Sequence, residues 1–128
     1  MAGKKKTILI VEDEPDTVTY LSTLLGDAGY DTVAAEDGDQ ALEKVKASPP
    51  DLITLDITMP HKSGVRFYRD MKESEKWKSI PIIIVTGIST DFERFISTRR
   101  QVPPPEGYLS KPIDREKMLT MVKQHLGS

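Results

Sequence analysis

The stretch DLITLDITMP, residues 51–60, is the part of the sequence that most directly indicates the fold. Its apolar run from Leu52 to Leu55 is typical of a short strand buried on both faces, as in a parallel sheet. Asp56 closes this run, and Pro60 and Gly64 indicate a loop just beyond it. Ligands of open α/β sheets bind at the carboxyl ends of strands. Asp56 is therefore either a reactive carboxylate or a residue that merely ends a strand.

The composition is that of one ordinary globular domain, and we expect a single domain over residues 1–128. A net charge of −2 argues against a general nucleic-acid-binding surface. The absence of cysteine excludes a disulfide framework and thiolate metal sites, and it fits a cytoplasmic location. Because the longest apolar runs are only as long as a strand, we predict no membrane span.

Predicted strands and helices alternate five times along the chain. Apolar runs predict strands at residues 7–11, 31–35, 52–56, 81–86 and 108–111. Apolar residues at helical spacing predict helices that begin at Pro15, around residues 37–39, after Gly64, at residue 91 (to 99) and at Asp114. Parallel strands need long, right-handed crossovers. The alternation therefore predicts an α/β fold with a doubly wound parallel sheet and helices on both faces.

Polar side chains close four of the five predicted strands. Glu12 and Asp13 follow the first, Asp56 ends the third, Thr86 the fourth and Lys111 the fifth. Because the carboxyl ends of parallel strands share one edge of the sheet, we expect these side chains to converge there.

The chemistry of such a site follows from its charges. Three converging carboxylates repel one another, and a hard divalent cation such as Mg²⁺ relieves that repulsion. Lys111 could hold a phosphoryl oxygen, and the hydroxyl of Thr86 could donate to one. Asp56, in the middle, is then a candidate nucleophile that forms an aspartyl phosphate. The sequence thus predicts a Mg²⁺-dependent phosphoryl-transfer site.

Four motifs together resemble the receiver domain of two-component response regulators, over essentially the whole chain. They are ILIVEDE at residues 8–14, LDITMP at 55–60 with Gly64, IVTG at 84–87 and YLSKP at 108–112. The resemblance implies a flavodoxin-like (βα)5 fold with strand order 2-1-3-4-5. It also implies a phosphoryl group that passes to Asp56 from a histidine kinase or phosphotransfer protein.

The resemblance further implies how Mg²⁺ is bound. By the family pattern, Asp13 and Asp56 bind the metal directly, together with the main-chain carbonyl of Thr58. Glu12 acts through a water molecule. Pro60 belongs to the same loop in the family motif.

A switch is implied by the same resemblance. Thr86 and Tyr108 match a pair in which the hydroxyl turns to the phosphoryl group and the ring turns inward. Lys111 matches the lysine that contacts the phosphoryl group. The family pattern also includes Gly87 and Pro112 near the site, the latter often after a cis bond.

The family likeness predicts a switch that promotes only its own phosphorylation and dephosphorylation. A downstream protein would bind the face formed by the fourth and fifth predicted helices and the fifth strand, and a homodimer is possible. The connection from Thr86 to Lys111 is long for the family and contains three successive prolines at 103–105. We therefore predict an exposed, extended segment at 99–107, because prolines lack backbone donors and disfavour helix before them.

Three other classes deserve comparison with a receiver. A phosphatase of the haloacid-dehalogenase kind also uses an aspartyl phosphate, but it needs a second acid where this chain has Thr58. A nucleotide-binding flavodoxin or Rossmann module needs a glycine-rich loop where this chain has Glu12 to Pro15. A degenerate receiver that only binds partners would lack some of the polar residues, which are all present here.

Overall fold

A five-stranded parallel sheet carries the fold in the computed structural model, which describes residues 5–57, 63–87 and 105–126, without the side chains of Ser63 and Thr86. The strands are β1 (Thr7–Val11), β2 (Asp31–Ala35), β3 (Leu52–Asp56), β4 (Ile82–Thr86) and β5 (Gly107–Ser110). The helices of these ranges are α1 (Pro15–Asp27), α2 (Gly38–Ala47), α3 (Ser63–Lys72) and α4 (Arg115–Leu126).

The strand order is β2-β1-β3-β4-β5, which confirms the predicted fold. Every neighbouring pair is parallel, and all five residues of the central β3 are buried. One hydrophobic cluster lies between the sheet and helices α2 and α3. A second lies between the opposite face and helices α1 and α4. The structure is thus a doubly wound sheet with a core on each face.

Local sequence explains where the helices begin and end. Pro15 opens α1. Gly29 lies just beyond the end of this helix with a φ of 101°, a left-handed conformation that glycine adopts without strain. The side chain of Asp37 accepts the backbone N–H of Gln40 at 2.8 Å and caps α2. Asp114 caps α4 in the same way, accepting two backbone N–H groups at 2.9 and 3.1 Å.

Several predicted boundaries were wrong by one or two residues, among them the start of β4, which is Ile82 and not Pro81. The fifth strand runs from Gly107 to Ser110, so Lys111 follows the strand instead of ending it. Gly64 lies buried inside the first turn of α3 and does not belong to the preceding loop. Glycine has no side chain to clash within a packed turn, and its permissive backbone accepts helical angles as well as loop angles.

Several sequence predictions fall outside the described residues. These are the helix at 91–99, the prolines 103 and 104, the metal-binding carbonyl of Thr58 and the loop residue Pro60. Of the segment predicted to be extended, the structure describes only residues 105–107, the last of which begins β5.

Candidate functional site

The carboxyl edge of the sheet brings together the polar residue that ends β3 and those that follow β1 and β5. Val11 pairs with Leu55 in the parallel register, so Glu12 on one strand and Asp56 on the next lie side by side. Lys111, one residue beyond β5, reaches this pair from the other side of β4. The predicted convergence at the sheet edge is therefore observed for these side chains.

Three carboxylates form a compact acidic cluster at this edge. Oxygens of Glu12, Asp13 and Asp56 all lie within 4.8 Å of one another. Glu12 and Asp56 are only 2% and 3% exposed, whereas Asp13 is exposed to solvent. The cluster thus has two buried acids and one acid through which an ion can enter.

The backbone holds Glu12 in this position. Its N–H donates to the carbonyl of Ala35 at 3.0 Å, which continues the pairing of β1 with β2 by one residue. Its carboxylate accepts the N–H of Glu14 at 3.2 Å, which fixes the turn into α1. Glu12 is therefore positioned by the sheet and the helix start together.

Lys111 is the cation that faces the acidic cluster. Its Nζ lies 3.1 Å from Glu12 Oε1, 3.4 Å from Asp56 Oδ2 and 3.7 Å from Glu14 Oε1. One positive charge is thus shared among three carboxylates, and Asp13 adds a fourth acid nearby. The site carries an excess of negative charge in the described structure.

The pKa values show the effect of this imbalance. Burial, and then repulsion by Asp56, raise the pKa of Glu12 from its ordinary 4.5 to about 7, against the opposing attraction of Lys111. Burial tends to lower the pKa of the Lys111 ammonium. The hydrogen bond to Glu12 and the charge of Asp56 outweigh that burial, so the Lys111 pKa is raised overall.

The residues fit a magnesium ion. Mg²⁺ prefers carboxylate, carbonyl and water oxygens, and the cluster offers carboxylate oxygens within one ion's reach of each other. Burial is the main cause of the raised Glu12 pKa, and repulsion by Asp56 raises it further. A divalent cation would remove this unfavourable repulsion, so charge and ligand type agree.

The other predicted site residues lie around the cluster. Tyr108 is partly buried and packs against the core on the α2 and α3 side of the sheet. Thr86 ends β4 at the same edge, with its side chain outside the description. Gly87 is exposed, and a Cβ there would meet nothing within 4 Å. The peptide bond between Lys111 and Pro112 is cis, as the family resemblance implies.

The sequence analysis did not assign a function to two features beside the site. Glu14 approaches Lys111, although only its membership in a run of three acids hinted at this. An open cavity of about 380 Å³ adjoins Lys111 between the start of α1 and the loop before α4, and Tyr20 and Ile113 line it. Tyr20 donates its hydroxyl hydrogen to the carbonyl of Ile113 at 3.4 Å, which joins the two walls.

Comparison with known proteins places this geometry in a family. The family model of the response regulator receiver domain matches residues 8–123. Protein Rrf1 of Nitratidesulfovibrio vulgaris is 35% identical over 121 residues, which cover 94% of this chain and 83% of Rrf1. The polar-differentiation response regulator DivK of Brucella ovis is 31% identical over 122 residues, which cover 95% of this chain and 97% of DivK.

A solved structure with the same fold contains a magnesium ion. It is the receiver domain of the sensor histidine kinase PA1611 from Pseudomonas aeruginosa, with a magnesium ion coordinated in its active site cleft. The two chains superpose with a TM-score of 0.83 at 27% identity, covering 98% of this chain and 100% of that one. No helix in the described part of the present chain is long and apolar enough to cross a membrane.

Proposed function

This chain belongs to the response regulator receiver family, and from that premise we propose that Asp56 is the phosphoacceptor of a signalling switch. Receiver domains pair with histidine kinases and phosphotransfer proteins, which are the phosphoryl donors we propose here. The observation that supports the assignment is the buried Asp56 carboxylate, which lies between two further acids and a lysine at 3.4 Å. At this position, both a metal ion and the ammonium of Lys111 can contact the oxygens of an incoming phosphoryl group.

The transfer step can be written for the residues of this chain. An oxygen of Asp56 attacks the phosphorus, the new O–P bond forms in line, and the N–P bond of the phosphohistidine breaks. The bonding electron pair stays on the departing imidazole nitrogen, which takes up a proton from solvent. Lys111 moves its ammonium from the carboxylate to a phosphoryl oxygen, where it stabilises negative charge. A bound Mg²⁺ would supply further neutralisation of the phosphoryl oxygens.

We propose that Asp13, Asp56 and the carbonyl of Thr58 bind the Mg²⁺ directly and that Glu12 acts through water. Asp13→Ala should then weaken Mg²⁺ binding more than Glu12→Ala, because a direct ligand contributes more than a water-mediated one. A calorimetric titration measures both, with the exposed Asp31→Asn at the other edge of the sheet as control. Equal losses in the two cluster variants would contradict the assignment.

The phosphoryl acceptance is tested most simply without a kinase. The protein is incubated with acetyl phosphate and Mg²⁺, and its intact mass is measured over time. A receiver gains the mass of one phosphoryl group, which is lost on treatment with hydroxylamine. A phosphatase would instead release inorganic phosphate catalytically, without a lasting mass change. No mass gain at saturating acetyl phosphate and Mg²⁺ would overturn the proposed function.

We propose that Thr86 and Tyr108 form the conformational switch. The support is the position of Thr86 at the site edge and of Tyr108 one strand away, with its ring against the α3-side core. A hydrogen bond to a charged group contributes about 1.5–3 kcal/mol. Reversing a population from 1:99 to 99:1 needs about 5.5 kcal/mol. Thr86 alone is therefore insufficient, and Lys111 with the loop after Asp56 must contribute.

The Thr86→Ala variant separates the switch from the chemistry. It should be labelled on Asp56 as fast as wild type, because this hydroxyl is neither acceptor nor metal ligand. It should lose much of the change in Tyr108 side-chain NMR signals that beryllofluoride causes in the wild type. Full signal changes in a normally labelled Thr86→Ala protein would refute the switch role.

We propose that the output of the switch is binding of another protein, and that the chain catalyses no reaction besides its own phosphorylation and dephosphorylation. Of the family's usual partner face, the structure describes β5 and α4. We further propose one domain over residues 1–128 that acts in the cytoplasm without binding nucleic acid and is able to dimerise. Sedimentation with and without beryllofluoride tests the dimer, and an unchanged monomer in both conditions would exclude it.

A further inference from the structure

A second pair of charges, a buried lysine and a partly exposed glutamate, lies at the opposite edge of the sheet, where β4 and β5 begin. Lys72, the last residue of α3, is 4% exposed, and its ammonium donates to both carboxylate oxygens of Glu106 at 2.8 Å. The same carboxylate accepts the backbone N–H of Ile82 at 2.7 Å. The backbone N–H of Glu106 in turn donates to the carbonyl of Ile82 at 3.0 Å. Glu106 is thus joined to β4 by main chain and side chain, and to α3 by Lys72.

The strand that follows Glu106 is short and has few side chains of its own that specify its register. β5 has four residues, is the outermost strand on its side of the sheet, and has Leu109 as its one buried residue. Its neighbour β4 presents Ile82–Val85, four β-branched side chains of nearly the same shape. A shift by one residue would exchange one such neighbour for another, and strands with few buried side chains are prone to such slips.

Gly107 adds a second constraint on the register. It pairs with Ile83, and a Cβ at this position would lie 3.1 Å from Met121 Sδ and 3.3 Å from Ile83 Cγ1. Those distances are tighter than most contacts that a real Cβ makes. A shift by one residue would bring Glu106 or Tyr108 opposite Ile83, where a side chain has little room. The described packing at this pair therefore favours glycine.

We infer that Lys72 and Glu106, with Gly107, set the register of β5 on β4 and thereby position Tyr108 and Lys111. A one-residue shift would turn Tyr108 to the other face of the sheet, because side chains alternate along a strand. It would also move the backbone of Lys111 along the strand by about 3.3 Å. That displacement is as large as the contacts of 3.1 and 3.4 Å that its ammonium makes with Glu12 and Asp56.

The Lys72 and Glu106 pair suits this function better than a purely stabilising one. The desolvation of the buried Lys72 offsets much of its attraction to Glu106, whose side chain stays 29% exposed, so the pair contributes little net stability. It does discriminate between arrangements, because any other register would leave the buried ammonium without its carboxylate. The two residues touch neither Asp56 nor a phosphoryl group, so they are positioning residues. The register claim rests on geometry alone, and its consequence for phosphorylation rests on the proposed function.

The test compares three variants at this edge by NMR and hydrogen exchange. Glu106→Val removes the ammonium's partner and the acceptor of the Ile82 N–H. Glu106→Gln keeps an oxygen for that N–H, and Lys72→Met keeps the apolar stem without the charge. Glu75→Gln is the matched control, because its ion pair with Lys78 lies on the surface of the connection from α3 to β4. Inter-strand NOEs between Ile84 and Tyr108 read the register directly.

In Glu106→Val we expect the NOEs between Ile84 and Tyr108 to weaken, or to be joined by NOEs from a second, shifted register. We also expect β5 amide exchange to become about 10- to 100-fold faster, the range that loss of a hydrogen bond to a charged group produces. Asp56 labelling by acetyl phosphate should slow in the same variant and recover largely in Glu106→Gln. Lys72→Met should show faster β5 exchange than Glu75→Gln, which should match wild type.

Wild-type NOEs and wild-type β5 exchange in a folded Glu106→Val protein would overturn the inference. If that variant does not fold, Lys72→Met decides in its place by the same two measurements. An absence of Asp56 labelling in the wild type would overturn the proposed function. It would leave the register claim to be decided by the NOEs, so the two failures are distinguishable.

Discussion

The two edges of the same sheet differ in the balance of their charges. Carboxylates outnumber the ammonium of Lys111 at the carboxyl edge, whereas one lysine faces one glutamate at the amino edge. At the carboxyl edge, Lys111 is shared among Glu12, Asp56 and Glu14, and the pKa of Glu12 is raised to about 7. At the amino edge, Lys72 meets one carboxylate and contacts both of its oxygens at 2.8 Å. The balanced edge is complete within the protein, whereas the unbalanced edge is suited to receive a cation and a phosphoryl group. Perturbed charge balance of this kind indicates a functional site.

The largest difference between the edges should appear in phosphorylation. Asp56→Asn removes the proposed nucleophile, so we expect no labelling by acetyl phosphate and Mg²⁺. Glu106→Gln removes a charge from the balanced edge and should leave labelling largely intact. Intact-mass time courses of both variants and wild type measure this. A hydroxylamine-sensitive phosphate on Asp56→Asn at the wild-type rate would show that the acceptor lies elsewhere.

The next largest effect is the pH dependence of stability in the metal-free protein. Between the ordinary Glu pKa of 4.5 and the folded value of about 7, the folded state binds the proton of Glu12 more tightly than the unfolded state. The free energy of unfolding therefore falls as pH rises through this window and levels off above it. At 1.36 kcal/mol per pH unit the contribution is roughly 3 kcal/mol.

Urea unfolding in chelator at pH 5 and pH 8 measures this contribution. Glu12→Gln should be more stable than wild type at pH 8 and should lose this part of the pH dependence. Mg²⁺ should restore the stability of wild type at pH 8, because the cation takes over the neutralisation. If the free energy of unfolding depended on pH equally in wild type and Glu12→Gln, the pKa of Glu12 would not be raised in the folded protein.

Removing a charge from the balanced edge should lower the free energy of unfolding, whereas Glu12→Gln raises it, and the change should be smaller. Lys72→Met leaves the partly exposed Glu106 carboxylate with the Ile82 N–H, so we expect a loss of about 1–2 kcal/mol. Urea unfolding at pH 7 measures it, and Mg²⁺ affinity should stay at the wild-type value. If the variant were as stable as wild type, this pair would contribute no net stability, which is the case for some ion pairs.

The smallest effect is expected where a similar pair is exposed. Lys78 and Glu75 lie 3.1 Å apart, with side chains 52% and 89% exposed. Glu75→Gln should change the free energy of unfolding by less than about 0.5 kcal/mol, because solvent screens such pairs. The same urea experiment serves as measurement. A loss as large as that of Lys72→Met would show that burial is not what distinguishes the two pairs.

The parallel sheet and the acidic cluster were predictable because they depend on local patterns and one topological rule, whereas the strand order was expected only from the family resemblance. Apolar runs locate the strands, and parallel pairing then brings Glu12, Asp56 and Lys111 to one edge. The Lys72 and Glu106 pair was not predicted, because 34 residues separate the two and Glu106 lay in a segment assigned to a loop. Its one signal in the sequence is that Lys72 follows the buried Tyr68 by four residues, on the inward side of α3.

The start of β5 was misjudged for a related reason. Gly107 was assigned to the proline-rich segment before the predicted strand, because prolines disfavour regular structure. Its place in the strand depends on the proximity of Met121 and Ile83, which belong to α4 and β4. Close approach between elements distant in sequence is a property of the packed molecule, and a single sequence carries no local mark of it.

The anchoring of β5 at Glu106 has a consequence for evolution and for protein engineering. The chain that arrives at this residue does not itself need to hold the strand in place, so the connection from β4 can change in length without moving Lys111. Each doubling of a loop costs only about 0.6 kcal/mol in closure entropy. A peptide tag or a small sensor domain inserted upstream of Glu106 should therefore leave the phosphoacceptor chemistry working.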